Sequence, residues 1–164
     1  DVLCGMPLYL DDTAGTTVQQ IKAKLRRVKN LGLVVIDYLQ LLGSTVKSEN
    51  QVLRISEITR NLKIMAKEMD VPVILLSQLN RVESRPDKRP MLSDLRESGS
   101  IEQDADIVMF LYRDAYYNKE SAEPNISECI VAKNRHGDTG TVKLIWDGQF
   151  TRFSNADFNT PPEG

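Results

Sequence analysis

The apolar residues of the chain alternate between short continuous runs and stripes of helical period. Leu33 to Leu42 reads LVVIDYLQLL, an aliphatic run broken by one acid, Asp37. A run of this kind predicts a strand buried in a parallel sheet, and an acid at its C-terminal end faces the crevice where α/β folds bind ligands. Val52, Ile55, Ile58, Leu62, Met65 and Met69 then recur at helical spacing, which predicts an amphipathic helix with one face on the core. Ser48 with Gln51 predicts the cap of that helix, and Asp70 with Pro72 predicts its end. Val73 to Leu76 is a second buried run, ending in Ser77 and Gln78. Strand, helix and strand in this order predict a right-handed parallel crossover, with Asp37 and Gln78 at the same edge of the sheet.

Upstream, Pro7 to Leu10 is a short apolar segment and Asp11 to Gly15 a polar break. Thr16 with Gln19 has capping-box spacing before a helix carrying Val18, Ile21, Leu25 and Val28. Downstream, Leu79 to Gly99 lacks a period, and a connection of that length predicts function or disorder. Ser100 with Gln103 again has capping-box spacing, ahead of a third buried strand from Ile107 to Tyr112. Glu128 to Lys133, Thr141 to Trp146 and Gln149 to Phe153 read as short strands, and Asp147-Gly148 predicts a two-residue hairpin turn. Residues 1–158 therefore read as part of one α/β domain, with a mostly parallel sheet, flanking helices and a C-terminal antiparallel hairpin region. Residues 159–164 read as a flexible tail.

Composition narrows the class more than the partner. With 41% hydrophobic residues in 164, the chain can build a core and does not read as disordered. The net charge of -2 conceals a basic stretch, Lys22 to Lys29, and an acidic one, Lys119 to Glu128. The basic stretch fits either nucleic acid or a solvated helix face. Cys4 and Cys129, with His136 the single histidine, give no zinc spacing and read as plain thiols. No signal peptide or membrane-length run is present, so a soluble cytoplasmic protein is expected.

Three positions offer chemistry. An acid placed like Asp37 holds Mg²⁺ in nucleotide-hydrolysing folds, or caps the turn that follows it. The companion motif G-x-x-x-x-G-K-[ST] is missing, because none of the nine glycines precedes a lysine. Gln78 either orients water or senses a γ-phosphate, or bonds to neighbouring backbone. Tyr38 follows Asp37 where many ATPases carry a catalytic Glu, and a phenol cannot replace that base. Lys133 and Arg135 share one side of a strand end before a glycine-containing loop, NRHGDTG. They suit an arginine finger working across a subunit interface, or a solvated hairpin tip.

VVIDYLQLL, VPVILLSQLNR, RPMLSDLRESGSIEQDADIVMFLYRD and KNRHGDTG occur together and in order. In this the chain resembles the DnaB family of replicative hexameric helicases over nearly its whole length. The resemblance implies a partial RecA-like P-loop NTPase fold and an ATP- and Mg²⁺-dependent motor. That motor would encircle single-stranded DNA as a homo-hexamer, translocate 5′ to 3′ and unwind the replication fork, with primase and a helicase loader as partners. Asp37 is then similar to the acid that holds Mg²⁺ through water, and Gln78 to the glutamine linking nucleotide state to DNA-binding loops. Arg135, with Lys133 beside it, resembles the finger that reaches the neighbouring subunit's γ-phosphate. Arg96, Glu97 and Gly99 resemble a loop contacting the DNA backbone in the channel, and Ser44 to Asn50 occupies the place of another channel loop. Arg81, Arg85, Lys88 and Arg89 either add to the positive channel or pair with Glu83 and Asp87.

The P-loop and an upstream catalytic Glu are expected outside the sequence, so the chain by itself is expected not to hydrolyse ATP. The competing readings are another RecA-fold ATPase, such as a recombinase or a phage helicase, and a non-catalytic module that binds single-stranded DNA or supports assembly.

Overall fold

In a computed structural model the described residues are 5–79, 85 and 87–156, and of 96–98 the backbone alone is described. The expectations for Cys4, Arg81, Glu83 and the tail at 159–164 lie outside the described residues. The chain divides into two compact units, Asp1–Gln78 and Leu79–Gly164.

The first unit contains helix α1 (Val18–Leu25), strand β1 (Val34–Ile36), helix α2 (Gln51–Met69) and strand β2 (Val73–Leu75). β1 and β2 pair in parallel, with Val34 opposite Val73 and Ile36 opposite Leu75, as the crossover pattern predicts. The pair is buried on one face only. Val34 and Ile36 are buried while Val35 and Ile74 between them are about half exposed, so the described residues cover one face of the pair. α2 turns Ile55, Ile58, Leu62 and Met65 inward as the stripe predicts, but Val52 remains exposed at 44%.

Both caps predicted in this unit are displaced. Thr17, not Thr16, caps α1: its backbone N–H donates to Gln20 Oε1 at 2.9 Å, and its hydroxyl accepts from the Gln20 N–H at 3.4 Å. Thr16 is held away from that role because its carbonyl accepts the Gly43 N–H at 3.1 Å and its hydroxyl donates to the Thr13 carbonyl. Gly43 is sterically required there, since a Cβ would lie 2.2 Å from the Gly15 carbonyl oxygen. Asn50, not Ser48, caps α2 by accepting the Val52 N–H at 2.9 Å, and Ser48 Oγ accepts the Asn50 N–H one step upstream. Asp70 ends α2 in the left-handed conformation, φ 49°.

The first elements of the second unit are a 3-10 run, Leu92–Ser98, kinked at Leu95 (φ -83°, ψ 22°), and helix α3 (Gly99–Asp104) directly after it. The stretch expected to lack structure is thus helical over its last third, and Ser100 lies inside the helical run instead of capping it. Strand β3 (Ile107–Tyr112), helix α4 (Asp114–Tyr117) and strands β4 (Ile126–Asn134), β5 (Gly140–Asp147) and β6 (Arg152–Asn155) follow. The sheet is antiparallel in the order β3-β4-β5-β6, a larger antiparallel component than the sequence suggests. β3 alternates strictly: Val108, Phe110 and Tyr112 are buried, whereas Ile107, Met109 and Leu111 are exposed. Leu95, Val108 and Phe110 form the core of the unit, with Leu92, Ile101, Ala105, Ile130 and Ala132 packed against them.

The β5–β6 turn also differs from expectation. Asp147 pairs with Arg152, so four residues link the strands. Thr151 takes the positive φ, 50°, while Gly148 has none, and the Asp147 carboxylate accepts the Gln149 N–H at 3.2 Å. A four-residue loop closed by a left-handed residue satisfies the strand twist without the doubly positive turn that Asp-Gly favours.

Candidate functional site

In the first unit the pairing of β1 with β2 brings Asp37 and Gln78 to one edge. Asp37 follows β1 directly, Gln78 lies three residues beyond β2, and both are exposed. The intervening backbone is fixed: the Leu76 N–H donates to the Ile36 carbonyl at 2.9 Å, and the Leu39 N–H donates to the Leu76 carbonyl at 2.8 Å. The Asp37–Tyr38 peptide bond is cis, and a 3-10 turn over Leu39–Leu41 follows. Gln40 on that turn was not singled out by sequence reasoning. Its amide donates to Ser77 Oγ at 3.2 Å and to the Gln78 carbonyl at 3.4 Å, while its oxygen accepts the Gln78 N–H at 3.4 Å. The spacing Asp37-x-x-Gln40 on a turn was the available signal, although the partner is 38 residues away.

Among the described residues no three His, Cys, Asp or Glu side chains gather into a metal-binding group. Asp37 fits one position at a water-mediated Mg²⁺ site whose other contacts come from elsewhere; it is not a complete site. Ser44 and Thr45 hydroxyls donate to the two Glu57 carboxylate oxygens at 2.8 and 2.9 Å, tying the 44–50 loop to α2. On α1, Lys22 pairs with Glu68 and Lys24 with Asp11 at 2.6 Å. Part of the basic stretch is therefore neutralised within the unit, in line with a solvated face.

In the second unit Lys133 and Arg135 converge on the C-terminal end of α3. The Lys133 ammonium donates to the Glu102 carbonyl and, at 2.7 Å, to the Ala105 carbonyl. Arg135 Nη2 donates to the Gln103 carbonyl at 3.3 Å, Nη1 stands 3.6 Å from Asp106 Oδ1, and the backbone N–H donates to the Asp106 carbonyl at 2.8 Å. The last carbonyls of a helix have no intrahelical donors, and cations satisfy them best. These contacts leave the Arg135 side chain 46% exposed. Beyond the strand, the Asn134 amide donates to the Asp138 carbonyl, and its oxygen accepts the His136 N–H. A Cβ on Gly137 would come within 2.8 Å of Asn134 Nδ2, so a side chain there would push the Asn134 amide aside.

Arg96 and Glu97 lie in the 3-10 run, with their side chains outside the described residues. Gly99 opens α3 with ordinary helical angles, φ -50° and ψ -25°, and a Cβ there would meet nothing within 4 Å. Neither conformation nor packing demands glycine at this position. Arg85 and Arg89 are paired: Arg85 Nη2 lies 2.8 Å from Asp94 Oδ2, and Arg89 makes a bidentate pair with Glu128 at 2.7 and 2.8 Å, with Asp87 3.6 Å away. The Glu128 carboxylate holds the Arg89 guanidinium well above its ordinary pKa.

The same unit contains an aromatic pocket of about 250 Å³ that sequence reasoning missed. Tyr116, Tyr117, Trp146 and Phe153 are among its walls. Arg113 lies over the Trp146 ring at 5.0 Å, and Trp146 packs on Phe153 with centroids 4.8 Å apart. Tyr112 stacks on Tyr117 and donates to Asp114 Oδ1 at 2.9 Å. Burial pushes its phenol up to about 12, and the bond to Asp114 adds to the shift. Flat rings with one guanidinium suit a planar heteroaromatic group. The clustering of LYRDAYY was the signal, but its Trp146 wall comes from a strand more than thirty residues on.

Residues 1–155 match the DnaB-like helicase C-terminal domain family. The chain is 57% identical over 155 residues to the replicative DNA helicase DnaB of Geobacillus stearothermophilus, covering 92% of this chain and 34% of that protein. It is 56% identical, with the same coverage, to the replicative DNA helicase DnaC of Bacillus subtilis. The chain thus spans about a third of the length of these curated relatives. Its fold superposes on a solved ATPase domain with a TM-score of 0.90 at 49% identity, covering 94% of this chain and 57% of that one. A DnaB-like replicative helicase whose structure was described with its primase interactions gives 0.85 at 52% identity, covering 90% and 37%. The α/β architecture is the one shared with these proteins. No helix of the described residues is long and apolar enough to cross a membrane.

Proposed function

The chain belongs to the family of DnaB-like helicase C-terminal domains, and from that premise we propose that it forms part of the motor of an ATP-dependent replicative DNA helicase. The intact protein is read as a cytoplasmic homo-hexameric ring that moves 5′ to 3′ on single-stranded DNA and opens the replication fork. The observation that carries this reading is the placement of Asp37 and Gln78 at adjoining strand ends, with the Gln78 backbone gripped by Gln40. A crevice at the C-terminal ends of parallel strands is where such folds hold nucleotide.

Bound ATP with Mg²⁺ supplies the hydrolysable phosphoanhydride. Asp37 would hold Mg²⁺ through water, and Gln78 would report the state of the γ-phosphate to the DNA-contacting segments. Arg135, half exposed on its loop, keeps most of its guanidinium donors for phosphate of a neighbouring subunit, and Lys133 has one of its three donors left for the same purpose. Arg96, Glu97 and Gly99 are assigned to the DNA backbone, where the bare Gly99 Cα allows close approach. Contacts to phosphate alone give the sequence-independent grip that a translocating ring needs. Primase and a helicase loader are the expected partners. The chain alone is read as non-catalytic, since its sequence holds no G-x-x-x-x-G-K-[ST] loop to bind the phosphates.

The test uses the intact protein. ATP hydrolysis stimulated by single-stranded DNA and displacement of a forked duplex are expected, and strand pairing in filaments without unwinding would overturn the reading in favour of a recombinase. Arg135→Ala is expected to lower hydrolysis by about 10³-fold or more while nucleotide binding persists. Mixed rings with a P-loop variant should recover part of the activity if Arg135 acts across the interface.

A further inference from the structure

The run from Leu92 to Asp104, kinked at Leu95, is bedded on the core and gripped at its end. Leu92, Leu95, Ile101 and the following Ala105 pack with Val108 and Phe110 of β3 and with Ile130 and Ala132 of β4. At the C-terminal end, Lys133 holds the Glu102 and Ala105 carbonyls while Arg135 holds the Gln103 carbonyl and approaches Asp106. At the other end of α3 sit Gly99 and, in the preceding turns, Arg96 and Glu97. The six residues of α3, Gly99 among them, therefore link the segment assigned to DNA to the carbonyls held by the residues assigned to phosphate. A helix that short depends on its end contacts, because few of its carbonyls find partners inside it.

We propose that Lys133 is a positioning residue, the joint through which nucleotide state at the Arg135 loop reaches the Arg96–Gly99 segment by way of α3. The proposal rests on the reading of Arg135 as a phosphate contact and of Arg96–Gly99 as a DNA contact. Two of the three ammonium donors of Lys133 are engaged by α3 and the residue that follows it, so a phosphate oxygen that engages the third, or displaces one, redistributes the hold on the last turn. Arg135 moves with it, since its backbone N–H and its guanidinium both touch the residues that end α3. The core contacts of Leu95 and Ile101 keep the run from sliding, so a change at Ala105 is expressed as a change in the pitch of the turn that opens at Gly99. DNA affinity is thereby tied to the phosphate contact, and by linkage the reverse also holds.

The intact ring provides the test, by fluorescence anisotropy of a labelled single-stranded oligonucleotide with a non-hydrolysable ATP analogue and with ADP. The readout is the ratio of the two affinities, expected at about 10-fold in the unaltered protein. Lys133→Met is expected to bring the ratio near one, and Lys133→Arg, which can still serve two carbonyls, to recover part of it. Ala105→Gly keeps the carbonyl that Lys133 holds but loosens the backbone that presents it, and it leaves the Lys133 and Arg135 side chains in place. It is expected to reduce the ratio about threefold while hydrolysis without DNA stays within about twofold of the unaltered protein. A simple loss of packing would lower both affinities together and leave the ratio intact. An unaltered ratio in Lys133→Met, or in Ala105→Gly if Lys133→Met does not assemble, overturns the proposal. If the unaltered protein neither hydrolyses ATP nor binds single-stranded DNA, it is the helicase reading that fails.

Discussion

The two units hold their candidate site side chains in opposite ways. In the first, Asp37 and Gln78 stand exposed at the ends of short strands, positioned by main-chain hydrogen bonds and by the Gln40 amide gripping backbone. In the second, Lys133 and Arg135 are positioned by what their own side chains grasp on α3. An acid placed by its backbone can be exchanged without disturbing its surroundings. A cation that completes a helix end cannot, because its removal leaves carbonyls without donors. The lesson is that loss of activity should have one cause in the first unit and two in the second.

The largest effects concern the cores, which set the baseline for that contrast. Phe110→Ala in the second unit is expected to cost about 3–5 kcal/mol and Met65→Ala in the first about 2–5 kcal/mol, read by urea unfolding of the intact protein. Both side chains are almost fully buried, at 4% and 1% exposure. Comparable losses would show that the contrast lies in the polar wiring; a cost below about 1 kcal/mol for either would mean that its unit lacks a packed core.

A sharper version compares the charged residues directly. Asp37→Asn is expected to shift stability by no more than about 0.5 kcal/mol while removing Mg²⁺-dependent hydrolysis, because the side chain is exposed. Lys133→Met is expected to cost about 1–3 kcal/mol, the usual penalty for leaving buried or half-buried acceptors unsatisfied. Chemical denaturation of the two variants side by side decides the matter. Equal costs would break the distinction between backbone-placed and contact-placed groups.

The same distinction explains what the sequence made legible. The placement of Asp37 and Gln78 at one edge, the stripe of α2 and the parallel crossover were all readable because main-chain register and helical period fix them locally. The RecA-like reading came from long runs of family-like sequence, not from periodicity. Aliphatic runs did not reveal that β1 and β2 bury one face, since burial depends on which elements cover a sheet. Thr16-Gln19 and Thr17-Gln20 have identical spacing, and the choice was made by the Gly43 N–H pulling on the Thr16 carbonyl. The wiring of Lys133 to α3 spans 31 residues at Glu102, and the Arg113–Trp146 pocket joins a loop to a distant strand. Contacts of that separation leave no local period to read.

A smaller effect tests how local capping can be. Asn50→Ala is expected to lower stability by about 1 kcal/mol, because Asn50 accepts the first free N–H groups of α2. Ser48→Ala removes only a bond to the Asn50 N–H and should cost less than half as much. The reverse order in thermal unfolding would restore the cap to the residue that sequence spacing favours.

The smallest effects are two titrations of opposite sign, one in each unit. The Lys24 ammonium and the Thr13 hydroxyl and N–H lower Asp11 from its ordinary 3.8 to about 2. A depressed carboxylate stabilises the fold above its unfolded pKa, so this contribution is present above about pH 4 and is lost as the pH falls towards 2. Tyr112 is raised from 10.0 to about 12, first by burial and then by its bond to Asp114. A raised phenol favours the folded state while neutral, so its contribution is complete below pH 10 and is lost as the pH rises towards 12. Asp11→Asn should therefore flatten the acid limb of the stability profile and leave the alkaline limb alone, whereas Tyr112→Phe should do the opposite. Ultraviolet titration gives the direct check: the late-ionising phenol should disappear in Tyr112→Phe. If all the tyrosines ionise together near 10, the buried, Asp114-bonded environment of Tyr112 is wrong, and with it the stacked wall that it gives the aromatic pocket.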